Sequence, residues 1–151
     1  MKSATWSSDS SLMLSRALTA AAFVLGIVSL FCIPTVTEWY DAVSEQASIR
    51  NVLTVCLYLS AGIAITALLA LWKMLANIAK HAVFVADNVR WLRVISWCCF
   101  AVAVIWLVLT FWRLLAFFVA FMSAFLGLVL RVVKNLLVMA IALREENDFT
   151  I

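Results

Sequence analysis

Apolar residues run almost without interruption through four stretches of this chain, and polar residues fall in short clusters between them. A membrane-crossing helix needs about 20 consecutive apolar residues. Stretches of that kind occupy approximately residues 17–34, 53–72, 94–112 and 116–136. The fourth apolar run continues to about Leu143, longer than one crossing requires. It is expected to leave the hydrocarbon near Lys134 and continue as a juxtamembrane helix to about residue 143. The pattern predicts an all-α fold: a single domain over residues 1–151, built as an integral membrane four-helix bundle.

The polar clusters set a direction. Cytoplasmic flanks of membrane spans carry an excess of Lys and Arg. Lys2 and Arg16 precede the first span, Lys73, Lys80, Arg90 and Arg93 separate the second from the third, and Arg144 follows the fourth. The alternate side holds only Arg50 and Arg113, with Glu38, Asp41 and Glu45 in its first loop. N-terminus and C-terminus are therefore both expected in the cytoplasm, with the fourth helix extended into it. Trp39, Tyr40 and Trp112 then mark the outer interface, Trp72, Trp91 and Trp97 the inner one, and Trp106 sits deeper.

Composition supports this reading. Hydrophobic residues make up 67% of the chain, against about 45–50% in soluble domains, and the mean hydropathy is +1.12. With 3 glycines and 1 proline, the turn residues of a β-barrel are missing, and the apolar runs do not alternate as barrel strands do. The formal charge of +3 is accounted for by topology, and no basic recognition helix suggests direct nucleic-acid binding. Cys32, Cys56, Cys98 and Cys99 lie in apolar segments without metal-ligand spacing and read as small buried hydrophobes. The first span is too long for a signal-peptide core, and no small-x-small site follows Pro34, so a retained helix is expected.

The connectors carry further expectations. The serine-rich segment Met1–Ser11 reads as disordered. Residues 35–48 read as an acidic, aromatic outer loop. Asp87-Asn88 reads as the N-cap of the third helix, and His81, the sole histidine, as a solvated loop residue. The short link from Phe111 to Ala116 demands a tight antiparallel hairpin. Ser60, Ala61, Gly62 and Ala64 are the expected place of close helix approach, and Asn135 an interhelical hydrogen-bonding group.

Arg131 and Lys134 stand three residues apart inside the last apolar run. A cation at that depth snorkels to lipid phosphates, pairs with an acid or binds an anion. Glu145, Glu146 and Asp148 follow, and acids at a helix C-terminus gain from nearby cations. The expected arrangement is a cytoplasmic electrostatic latch of Arg90, Arg93, Arg131, Lys134, Glu145, Glu146 and Asp148. The closing Asp148-Phe149-Thr150-Ile151 reads as an extended docking element or as a segment packed on the middle loop.

Two segments resemble a known family. Residues Asp87-Asn88-Val89-Arg90-Trp91-Leu92-Arg93-Val94-Ile95-Ser96-Trp97 are similar to its F-x-x-x-N-v-x-x-L-R-x-I-x-W segment. Arg131-Val132-Val133-Lys134-Asn135 and the ending Ala142-Leu143-Arg144-Glu145-Glu146-Asn147-Asp148-Phe149-Thr150-Ile151 resemble its closing E-x-D-[LF]-T-[IV]. The family is DUF2975, small bacterial integral membrane proteins of unknown function. The resemblance implies a multi-pass protein of the bacterial cytoplasmic membrane, often encoded beside small helix-turn-helix regulators, and carries over no catalytic or ligand residue.

No span contains Asp, Glu or His, so paired carboxylates, nucleophile–base pairs and metal clusters are missing where membrane enzymes need them. No enzyme activity, catalytic residue, metal or cofactor is expected. The favoured function is a membrane-embedded regulatory, sensing or immunity-type protein acting through partners at its cytoplasmic face. The alternative is an oligomeric channel or small transporter subunit with anion preference. Expected partners are the lipid bilayer, a regulator or transporter subunit, and further copies of the chain.

Overall fold

In a computed structural model the chain is described over residues 5–44, 48–80 and 85–149, with side chains from Ser11 to Asn147 within those ranges. The described residues form four helices: α1 (Thr5–Val43), α2 (Arg50–Ala79), α3 (Ala86–Leu109) and α4 (Ala116–Phe149). Each is long and apolar enough to cross a membrane. Large apolar side chains such as Phe31, Leu107 and Phe118 stand exposed on their outer faces. In water such patches would drive aggregation; in hydrocarbon they face the solvent they prefer.

Packing follows chain order. α1 lies on α2, α2 on α3, and α3 on α4, and among the described residues no other pair of helices is in contact. The bundle is thus an open row, with α1 and α4 as its two edges. A buried cluster of Ile49, Leu53, Cys56, Leu109 and Ala116 joins the start of α2 to the α3–α4 turn. In the α2–α3 seam, Trp106 Nε1 donates to Ser60 Oγ at 3.0 Å. This satisfies an indole N–H that hydrocarbon could not, and it explains how a tryptophan sits deep in a span.

Several boundaries differ from those the sequence suggests. α1 is already helical from Thr5, so most of the serine-rich segment extends the span; adding residues to an existing helix costs far less than nucleating one. Pro34 lies inside α1, where Thr37, 1% exposed, donates its hydroxyl to the Pro34 carbonyl at 2.9 Å. The helix continues to Val43, and much of the expected outer loop becomes its last turns. α3 begins at Ala86 with Val85 as N-cap and no side-chain cap. Asn88 is instead buried at 2% exposure and accepts a hydrogen bond from Asn77 Nδ2 at 3.1 Å. α4 runs on to Phe149, so the first half of Asp148–Ile151 is helical rather than extended; Thr150 and Ile151 lie outside the described residues, as do His81 and Glu45.

The small-residue expectation also shifts. A Cβ at Gly62 would meet nothing within 4 Å. The close approach is at Gly127, where a Cβ would lie 3.2 Å from Phe100 Cζ and 3.3 Å from Cys99 Cβ. Cys56 is buried as expected, whereas Cys32 is exposed on α1. Asn135 is exposed rather than engaged between helices.

Candidate functional site

The start of α1, the end of α2, the start of α3 and the end of α4 share one end of the row. Arg16 lies over the Trp72 ring at 5.3 Å and Lys73 over Trp91 at 4.6 Å. Each pair joins a cation to an interfacial aromatic, a favourable arrangement of roughly 0.5–1 kcal/mol at exposed sites.

The α3–α4 seam organises this end. Ser96, buried on α3, donates its hydroxyl to the Gly127 carbonyl at 2.9 Å. Lacking a side chain, Gly127 lets the backbones close. Arg131 stands one turn further along α4 and Lys134 nearly two. Arg93 stands one turn before Ser96 and Trp97 on the antiparallel α3. The seam therefore gathers Arg93, Arg131 and Lys134 around a 290 Å³ recess with Ser96 and Trp97. The Arg131 guanidinium lies 5.4 Å from the Trp97 ring and 5.9 Å from Phe100. From the start of α4 the recess is ~22–27 Å along the axis at 1.5 Å per residue, close to the far edge of a ~30 Å hydrocarbon layer.

Three of the expected latch cations thus come together. Among the described residues, Glu145 and Glu146 do not join them. Arg90 pairs with Asp87 at 3.9 Å, and among the described residues no ion pair links Arg90, Arg93, Arg131 or Lys134 to Glu145 or Glu146. Because α4 stays helical, Glu145 lies ~17 Å beyond Lys134 along its axis. The side chain of Asp148 is outside the described residues. Among the described residues no three His, Cys, Asp or Glu side chains gather in a way that could hold a metal ion.

The opposite end carries a second cluster that spacing alone did not reveal. Arg50 forms a salt bridge with Glu38, and Ser48 Oγ donates to Asp41 Oδ2 at 2.7 Å. Arg113, in the α3–α4 turn, donates from Nη2 to Ser44 Oγ at 2.8 Å and lies 5.7 Å from the Tyr40 ring. Trp39 and Trp112 flank the same 820 Å³ hollow. Arg113 thus ties the end of α1 to the α3–α4 turn, beside Tyr40, which packs against the cluster that includes Leu109 and Ala116.

The pattern of the protein family of unknown function DUF2975 matches residues 36–151. The chain belongs to this family. No curated protein and no solved structure matches it. The DUF2975 match begins within the last turns of α1 and takes in all of α2, α3 and α4, including the Arg93–Arg131–Lys134 recess and the Arg113 tie. Most of α1 precedes it.

Proposed function

We propose that this DUF2975 protein is a multi-pass component of the bacterial cytoplasmic membrane that works without enzymatic chemistry. It acts as a regulatory, sensing or immunity-type protein by engaging protein partners at its cytoplasmic face. One observation carries the reading: Arg16, Lys73, Lys80, Arg90, Arg93 and Lys134 collect at one end of the row, against Arg50 and Arg113 at the other. That asymmetry supports a cytoplasmic position for the richer end. The last turns of α4 project past the recess there, carrying Arg144, Glu145 and Glu146 where a partner can reach them.

The test is crosslinked affinity capture from native membranes, comparing the full chain with one ending at Ala142. Partners held by the full chain are expected to be lost from the shortened one while all four spans remain inserted. Equal recovery by both contradicts the reading.

The open row favours a second reading, an oligomeric channel or small transporter subunit with anion preference, because α1 and α4 leave edges on which further copies can close. Chloride flux in proteoliposomes that disappears on Arg131→Ala supports it; flux that is absent from the unaltered protein excludes it.

A further inference from the structure

We infer that the recess between α3 and α4 seats the phosphate of an anionic glycerophospholipid, with an acyl chain lying in the adjoining groove between α2 and α3. The inference does not depend on the partner reading.

The charge argument comes first. Arg93, Arg131 and Lys134 line one 290 Å³ recess, and none has an acidic partner among the described residues. Three like charges converging at a membrane edge repel one another, and the low dielectric strengthens that repulsion. A single anion relieves it. The Trp97 and Phe100 rings hold the Arg131 guanidinium without consuming its N–H donors. The Ser96 hydroxyl is already committed to Gly127, so recognition falls to the cations, the chemistry that suits phosphate.

Shape then selects the ligand. A second hollow of 370 Å³ opens beside the first, and Arg93 and Trp97 border both. Its other walls are Ile63, Thr66, Val94, Cys98 and Ala101. The Thr66 hydroxyl is turned inward to the Gly62 carbonyl at 3.0 Å, so this groove presents apolar surface. Along α3 it runs from Arg93 toward Ala101, away from the charged end and into the bilayer. A cationic seat continuous with an apolar groove fits a molecule with an anionic head and a hydrocarbon tail. Free phosphate fills only the first part.

Native mass spectrometry of the full chain in neutral detergent, titrated with phosphatidylglycerol, phosphatidylcholine or inorganic phosphate, tests this. One phosphatidylglycerol is expected to be retained preferentially over phosphatidylcholine. Arg131→Gln with Lys134→Gln should weaken that retention by about tenfold or more, whereas Arg90→Gln, outside the recess, should leave it unchanged. Ala101→Phe keeps every charge and fills the groove, so it should also weaken retention; it remains informative if the double variant loses helicity. Equal retention of both lipids, or retention indifferent to both the recess and groove variants, overturns the proposal. Displacement of the lipid by equimolar inorganic phosphate also overturns it, in favour of a free-anion site.

Discussion

Ser96 on α3 donates its hydroxyl to the Gly127 carbonyl on α4 at 2.9 Å, and this one contact fixes which residues of the two helices face each other. With that register, the cations at 93, 131 and 134 meet. One turn of slip would shift Arg131 by a further ~5 Å along the helix axis relative to Trp97 and break the 5.4 Å contact between them.

Gly127→Leu should therefore disrupt the seam. Its first carbon already meets Phe100 and Cys99 at 3.2–3.3 Å, and overpacking of this kind costs about 1–3 kcal/mol. Gly62→Ala meets open space and should be neutral or stabilising by up to about 1 kcal/mol, the helix-propensity gain. Thermal unfolding in detergent distinguishes the two.

Trp106→Phe removes the indole donor to Ser60 and should destabilise by about 0.6–1 kcal/mol, the usual worth of an interhelical bond in membranes. Ser60→Ala leaves the indole N–H without its acceptor and should cost at least as much. A double-mutant cycle on unfolding free energies measures the coupling, which should vanish if the two groups do not meet.

Asn88→Ala should be costlier than Asn77→Ala. Each change removes the Asn77–Asn88 hydrogen bond, worth about 0.5–1.5 kcal/mol. Asn88→Ala also empties an almost fully buried position, whereas Asn77 is half-buried; the difference is readable as a lower midpoint of denaturation.

Arg113→Ala cuts the tie from the α3–α4 turn to Ser44 and Tyr40. The last turns of α1 then lose this side-chain tie to the α3–α4 turn. Faster amide hydrogen exchange over residues 38–44, with the α3–α4 seam unchanged, is the expected outcome; unchanged exchange there argues against the tie.

Charge reversals at Arg93 and Glu146 should add independently in a thermal-stability cycle. Helical continuation of α4 keeps those residues far apart, and sites more than ~7–10 Å apart without shared partners behave additively. Rescue of one reversal by the other would instead restore the latch that sequence spacing suggested.

Much of the architecture was legible because continuous apolar runs and stranded cations are long-range signals. The four spans, the tight link before Ala116 and the shared end of Arg93, Arg131 and Lys134 all follow from them. Boundaries were harder. Pro34 reads as a helix end in water, yet within a long apolar helix Thr37 and its neighbours tolerate it. Asn88 resembles a cap by residue type, and only its position against Asn77 reveals a seam contact. Gly62 and Gly127 are indistinguishable by composition; which one faces a neighbour depends on helix rotation, which an apolar run without a polar face does not encode. Arg113 looked like a lone topological charge because its contacts, Tyr40 and Ser44, are about 70 residues away.

The α3–α4 register is the claim on which the recess stands, and a disulfide tests it most directly. With Cys32, Cys56 and Cys98 replaced by Ala, Gly127→Cys puts a second thiol beside Cys99, the carbon positions 3.3 Å apart and near the ~3.5–4.5 Å of real disulfides. Mild oxidation in membranes should give an intramolecular bond between positions 99 and 127, found by peptide mass spectrometry, with no such bond from Gly62→Cys. A free thiol at position 127, or bonding only between separate chains, would contradict the register and the recess with it.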